Sequence, residues 1–299
     1  MEKLQRGPLG PSCHEEAAIH DLRQRLSDRS FARLGDFITR TVGVKMPEVK
    51  RTLLESRLAR RLRQLEMRSF DEYCDYLFGG DCAEEIAHMI DLVVTNKTDF
   101  FREPAHFDFL AGEALPVLAA AGAGTRRTLR VWSAGCSTGE EPYTIAMILK
   151  DFAESLAAFD FEVVGTDIST RVLARASAGV YEEDKVSPVP MDCRRRHLLR
   201  SRDSSKGLVK ITPELRSHVK FHRLNLIDDE WEFQEKADVI FCRNVIIYFD
   251  RGTQQTLFKK FLGNLSHGGY IFIGHSETLN GFDLPLVKEA PTIYRKVRP

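Results

Sequence analysis

The chain has 299 residues, 43% of them hydrophobic and 29% charged, which suits about two domains of roughly 100–200 residues each. Basic and acidic residues both number 43, so no net charge drives indiscriminate binding to nucleic acid or membrane, and electrostatic recognition must come from a local patch. The six cysteines, at 13, 74, 82, 136, 193 and 242, contain no CxxC pair; that speaks against a zinc site and fits reduced thiols in the cytoplasm, with no metal expected.

Residues 1–26 mix glycine, proline and charge without periodicity and read as a loose leader, with no apolar run of the signal-peptide kind. No segment approaches ~18 uninterrupted apolar residues. The nearest, 107–124, is broken by Asp108, Glu113 and Pro116. Residues 27–95 read as an all-α domain. Pro47 can open a helix at its first turn, and Leu54, Leu58, Leu62 and Leu65 share one face at ~100° per residue. Residues 50–68 carry seven basic and two acidic side chains, and Arg57, Arg60, Arg61 and Arg68 fall beside the leucine stripe. Such a run is usually a solvated face, and one helix of this kind could also bind RNA.

Residues 96–125 read as a linker. After Arg126 short apolar runs alternate with amphipathic helical segments. Strands are expected at 129–133, 161–166, 220–224, 238–242 and 270–274, with helices starting near Glu140, Thr170 and Thr253. That alternation implies a doubly wound, parallel α/β sheet with right-handed crossovers over 126–299. The rhythm breaks at about 181–219, where Pro188, Pro190, the run CRRRH (193–197), the turn SRDSSKG (201–207) and the β-prone 208–211 suggest an inserted antiparallel subdomain, possible as a small hairpin.

The first strand runs into SAGCSTGEE (133–141). Glycines there let the backbone turn tightly against a ligand, and the helix that follows presents free N–H groups. Glu140 and Glu141 at that helix start would repel a pyrophosphate but suit a ligand bearing positive charge and hydroxyls. Equally, they could only complement the helix dipole, at about 0.3–1 kcal/mol each. Asp167 ends the second strand, where an acid can bind ribose hydroxyls or merely cap the next helix. Arg243 and Asn244 follow the strand ending at Cys242, and Tyr248 lies in the loop beyond. Asn244 could be a turn residue and Tyr248 an ordinary half-buried aromatic. The nicotinamide fingerprint G-x-G-x-x-G is absent, since Gly135 and Gly139 stand four apart.

The strings NKTDFFRE (96–103), RVWSAGCSTGEEPY (130–143), DIS (167–169), FCRNVIIYFD (241–250) and GHSE (274–277) resemble those of the CheR family of chemotaxis receptor glutamate methyltransferases. The likeness runs from about Ser30 to the C-terminus and is weakest over 181–219. It implies a Rossmann-like S-adenosylmethionine-dependent methyltransferase domain with a small inserted antiparallel β-subdomain, preceded by an all-α N-terminal domain for receptor recognition. Residue by residue it implies cofactor contacts from Asn96, Thr98, Arg102, Glu141, Asp167, Asn225, Leu226, Asn244 and Val245, with Glu140 the second choice to Glu141. Gly135-Cys136 stands where other members often carry alanines.

The activity implied is methyl transfer from S-adenosylmethionine to receptor glutamates, leaving S-adenosylhomocysteine. A glutamate with a pKa of about 4.3 is already ionised at neutral pH, so no general base is required. Arg102 is expected to orient that carboxylate and Tyr248 to hydrogen-bond near the transferred methyl, although Arg102 could serve only an interface. Arg57, Arg60, Arg61 and Arg68 are expected to face the acidic methylation helices in the cytoplasmic signalling domains of chemoreceptors. A tether peptide from a receptor C-terminus is a further candidate partner, at the turn 201–207. A cytoplasmic monomer is expected, without nucleic acid or membrane insertion. The rival readings are a methyltransferase for another protein or a small molecule, and a scaffold that binds the cofactor without turnover.

Overall fold

The computed structural model describes residues 25–231 and 235–297. The leader expected over 1–26 lies outside them as far as residue 24. The chain divides into two compact units, one extending to Thr41 and resuming over Lys45–Val93, the other comprising Val42–Val44 and everything from Val94.

The first unit is helical: α1 (Asp28–Val42), α2 (Arg51–Gln64), α3 (Phe70–Phe78) and α4 (Ala83–Val93). Pro47 precedes a short 3-10 turn, Glu48–Lys50, and the α-helix begins only at Arg51. Leu54, Leu58 and Leu62 are buried, each four residues from the last, while Leu65 caps the helix end half-buried. Ser69 caps α3 by accepting the Glu72 N–H at 3.2 Å.

The basic residues of α2 do not form one solvated face. Arg61 grips the buried Glu85 of α4 through two nitrogens, at 2.5 to 3.1 Å, and the Tyr73 hydroxyl donates to the same carboxylate at 2.8 Å. Arg57 donates to the Val93 carbonyl at the end of α4. These two arginines serve the packing of their own unit, whereas Arg60 and Arg68 are exposed. The helical wheel could not separate them, because Glu85 and Val93 meet α2 only in the folded unit.

In the second unit come residues 96–125, read from the sequence as a linker. They contain α5 (Pro104–Phe109), a π-turn (Leu110–Ala114) and α6 (Leu115–Ala120). Phe107, Leu110, Leu115 and Leu118 enter the core. The sheet follows: β1 (Leu129–Ala134), β2 (Phe161–Asp167), β6 (Val219–Arg223), β7 (Ala237–Cys242), β8 (Leu265–Ile273), β9 (Leu286–Ala290) and β10 (Ile293–Lys296), in the order β6-β2-β1-β7-β8-β10-β9. The helices α7 (Glu140–Ala153), α8 (Thr170–Ala178) and α11 (Arg251–Asn264) link its strands.

Strands β6, β2, β1, β7 and β8 pair in parallel. The sheet is nonetheless mixed, since β10 runs antiparallel to both β8 and β9. Those last strands carry LVKEA and IYRK, too short and too charged to show a period. Alternation sorts the strand residues between two cores. Val131, Val163, Val239, Phe241 and Phe272 go to one face; Trp132, Ile240, Ile271 and Ile273 join Phe258 and Phe261 of α11 on the other.

The insertion holds three strands rather than a two-stranded hairpin. β5 (Leu208–Ile211) lies between β3 (Val180–Glu182) and β4 (Leu198–Arg200), antiparallel to both. The run CRRRH ends α9 (Met191–His197); Cys193 and His197 share its buried side and Arg196 pairs with Asp151 of α7 at 2.7 Å. A short helix, α10 (Pro213–Ser217), capped by Thr212, returns the chain to β6.

The chain thus winds outward from β1 to β2 and β6, then restarts at β7 on the other side of β1. This reversal opens a crevice at the carboxyl ends of β1 and β7, where sheets of this kind bind ligands. For the helical unit, Arg61→Glu would face Glu85 with a like charge and should cost about 3 kcal/mol or more. Arg60→Glu should stay within about 0.5 kcal/mol. Urea unfolding followed by far-ultraviolet circular dichroism measures both.

Candidate active site

The turn after β1 is left-handed at three places: Gly135 (φ 79°), Ser137 (φ 50°) and Gly139 (φ 97°). A Cβ on Gly135 would lie 2.5 Å from Cγ2 of Val245, so glycine is what lets the β1 and β7 loops touch. An alanine there would need Val245 to move. The Gly135 and Cys136 N–H groups both donate to the Thr166 carbonyl, at 2.8 and 2.9 Å. Ser137 donates its N–H to Asp167 Oδ2 at 2.9 Å and its hydroxyl to the Asn96 carbonyl at 2.8 Å. One serine thereby joins three stretches singled out in the sequence.

The two glutamates at the start of α7 separate. Glu140 folds back on Thr138, whose hydroxyl donates to it at 2.6 Å, and is buried. Glu141 accepts from the Ser133 hydroxyl at 2.6 Å and from Arg243 Nη1 at 3.2 Å. Burial pushes both carboxyl groups above the usual range, and for Glu141 the guanidinium of Arg243 offsets part of the rise. Asp167 is not the helix cap: Ser169 caps α8 by accepting the Val172 N–H at 3.3 Å. Asp167 accepts the N–H of Ser169 at 2.9 Å as well as that of Ser137.

Arg243, which the sequence placed after the strand ending at Cys242 without giving it a role, is the buried cation here. Its side chain is 2% exposed. Nε and Nη2 donate to Glu103 at 3.2 and 3.1 Å, Nη1 donates to Glu141, Nη2 also reaches the Arg102 carbonyl, and the guanidinium lies 5.2 Å from the Phe107 ring centre. Glu103, itself left-handed (φ 59°), also accepts from the His275 N–H at 3.2 Å and approaches Asn244 Nδ2 at 3.5 Å. Burial works to raise its pKa, but Arg243 and the His275 N–H outweigh that and hold it below the usual range.

Glu277 is the second carboxylate without an assigned role. It is buried and accepts the N–H groups of Gly274 (2.6 Å), Asn244 (3.1 Å) and Ile246 (3.0 Å). These bonds hold Asn244 left-handed (φ 59°) and start the 3-10 turn Ile246–Tyr248 that carries Tyr248. Both carboxylates sit inside strings already recognised, in FFRE and GHSE. Their sequence signal was position in a motif, with nothing to say what they hold.

Of the remaining candidates, Thr98 lies in the irregular stretch after Asn96. The Arg102 side chain is half-buried and donates to the Lys97 carbonyl at 3.2 Å. Asn225 and Leu226 follow β6, anchored where the Leu224 N–H meets the Asp167 carbonyl at 3.0 Å; Asn225 folds onto Asp228 at 2.9 Å and Leu226 packs on the core. Asn96, Asp167, Glu141, Asn244, Val245 and the Arg102 backbone are therefore brought to one edge of the sheet. Arg57, Arg60, Arg61 and Arg68 belong to the helical unit.

This edge has no lysine or arginine in the turn 133–141 to receive a phosphate. It offers instead carboxylates at Glu141 and Asp167 and a glycine with no Cβ. That donor set fits S-adenosylmethionine, whose sulfonium and ammonium are cationic and whose ribose donates hydroxyls. Fold and site together define the class of S-adenosylmethionine-dependent methyltransferases.

The particular family follows from comparison. Residues 96–292 match the family model "CheR methyltransferase, SAM binding domain", and residues 29–94 match "CheR methyltransferase, all-alpha domain". The chain belongs to the CheR methyltransferase family. It is 38% identical over 278 residues to the chemotaxis protein methyltransferase of Borreliella burgdorferi, covering 92% of this chain and 97% of that protein. It is 35% identical to that of Escherichia coli K12, covering 94% and 96%, and 39% identical to chemotaxis protein methyltransferase 2 of Pseudomonas aeruginosa, covering 83% and 85%.

Removing the guanidinium would leave Glu103 and Glu141 without their counter-charge. Arg243→Gln should cost about 3–5 kcal/mol and abolish measurable binding of S-adenosylhomocysteine. Arg243→Lys keeps the charge but loses the planar fork, and should be intermediate in both. Thermal unfolding and titration calorimetry check the series.

Proposed function

We propose that this protein transfers the methyl group of S-adenosylmethionine to glutamate side chains in the cytoplasmic signalling domains of chemoreceptors, acting as a cytoplasmic monomer. The observation that carries the reading is that both family modules occur in order, the all-α domain over 29–94 and the S-adenosylmethionine-binding domain over 96–292. No helix among the described residues is long and apolar enough to cross a membrane, so membrane-borne receptors would be met from solution.

The cofactor supplies a methyl group on a sulfonium. An ionised acceptor oxygen forms the new O–C bond while the C–S pair returns to sulfur, leaving a methyl ester and S-adenosylhomocysteine. No proton moves, so what the protein must supply is alignment and compensation for the water stripped from the acceptor. Asp167 and Glu141 bind the cofactor, with Asn96, Thr98, Asn225, Leu226, Asn244 and Val245 lining its site. Arg102, a half-buried residue bonded to the Lys97 carbonyl, orients the acceptor carboxylate. Tyr248, on the turn held by Glu277, hydrogen-bonds near the methyl.

Receptor recognition falls to the exposed Arg60 and Arg68 rather than to Arg57 and Arg61, which have partners inside their own unit. A receptor tether peptide would dock on the inserted subdomain. There a cavity of about 320 Å³ is lined by Val186, Met191, Arg194, Leu198 and Val209, and the large apolar side chains of Met191 and Leu199 are exposed. This moves the expected surface from the turn 201–207 to α9 and the edge strand β4, a suitable place for an extended peptide to add.

Transfer of labelled methyl to receptor cytoplasmic fragments tests the reading; absence of base-labile glutamyl methyl ester would overturn it. Arg102→Ala and Tyr248→Phe should each lower turnover at saturating cofactor by about tenfold or more. Arg60→Glu with Arg68→Glu should weaken receptor methylation about tenfold and leave S-adenosylhomocysteine affinity unchanged.

A further inference from the structure

Beside the crevice, three side chains not accounted for by methyl transfer bring potential ligand atoms close together. Glu103 Oε2 lies 3.5 Å from His106 Nδ1 and 4.0 Å from His275 Nε2, and one ligand atom from each of the three residues lies within 4.8 Å of the others. His106 is 1% exposed, and its Nδ1 has no hydrogen-bond partner. A buried polar atom left in that state is rare enough to require a reason.

The tautomer of His106 sharpens the point. Its Nε2 meets Thr292 Oγ1 at 2.8 Å, and that hydroxyl gives its only hydrogen to the Pro291 carbonyl at 2.7 Å. The threonine oxygen therefore accepts, Nε2 carries the ring proton, and Nδ1 presents a bare lone pair to the carboxylate. The arrangement is the one that metal-binding histidines use: one nitrogen aimed at the ion, the other donating to a fixed acceptor.

We infer that Glu103, His106 and His275 form a binding site for a divalent transition-metal ion, zinc being the ion best suited to two imidazoles and one carboxylate. Zinc bonds of about 2.0–2.2 Å place tetrahedral ligands about 3.4 Å apart. The Glu103–His106 separation already matches. His275 closes the remaining gap by side-chain rotation, since its side chain is 54% exposed, and solvent takes the fourth position. Glu103 cannot serve the ion fully while Oε2 accepts two bonds from Arg243. The ion and the Arg243 web therefore compete for one carboxylate. That competition sets the affinity in the micromolar range and makes the ion an antagonist of cofactor binding.

Titration calorimetry of zinc into chelator-treated full-length protein tests the site without reference to methyl transfer. One equivalent should bind with a Kd of about 10 μM or tighter. Cobalt in its place should give a visible spectrum without the thiolate charge-transfer band that cysteine ligands produce. His275→Ala, on an exposed side chain, should weaken zinc at least about tenfold, and His106→Gln should do the same in protein whose circular dichroism is unchanged. Saturating zinc should weaken S-adenosylhomocysteine binding several-fold, and the product should weaken zinc by the same factor. No binding at 100 μM zinc (about −5.5 kcal/mol), or binding unaffected by His275→Ala, would overturn the inference. Product affinity indifferent to zinc would overturn the competition for Glu103.

Discussion

A guanidinium at the end of a strand buried along its whole length has no water to hold its charge, so the fold must bring anions to it. Arg243 follows β7, all six of whose residues are buried. Desolvation of that kind is unfavourable by several kcal/mol unless every donor finds a partner. The partners come from distant stretches of chain: Glu103 lies 140 positions away and Glu141 102. Satisfying one cation thus draws together the segment before α5, the helix start after β1 and the turn after β7. The site is built where those three meet.

The same convergence explains why the backbone there departs from ordinary conformations. Phe101, Glu103, Ser137 and Asn244 are all left-handed without being glycine, each at roughly 1–3 kcal/mol. Each is held by a hydrogen bond that involves a side chain: the Phe101 N–H donates to the Thr144 hydroxyl, Ser137 bonds Asn96 and Asp167, Glu103 accepts from Arg243, and the Asn244 N–H donates to Glu277. Glu277 is the quiet member of this group. By collecting three N–H groups it fixes the turn that presents Asn244 and Tyr248, and burial works against its ionisation while those bonds support it.

Arginines in the helical unit show the complementary case. Arg57, Arg60, Arg61 and Arg68 look alike on a wheel, yet Arg61 meets a carboxylate that is 4% exposed while Arg60 stands in solvent. Electrostatic context, not residue type, divides those that support the unit from those available to an acidic partner. In the same way the cysteine pattern, which argued against zinc, was silent about a site made of one glutamate and two histidines whose members stand as far as 172 positions apart.

By itself the sequence determined what depends on local order. Alternation of apolar runs with amphipathic helices specified the five parallel strands and their crossovers. The leucine spacing specified α2, and the glycine turn and strand-end polar residues marked the edge where a ligand binds, because these signals repeat within a few residues. The strands β9 and β10 escaped, being too short and charged to show a period. Only the tertiary structure decided which of Glu140 and Glu141 meets Arg243, that Ser169 and not Asp167 caps α8, and that Arg243 is the buried cation. Each of those outcomes turns on a partner brought near by sheet register and core packing. The physical reason is that hydrogen bonding and desolvation act over a few ångströms of space, and a linear chain does not say which distant residues will share them.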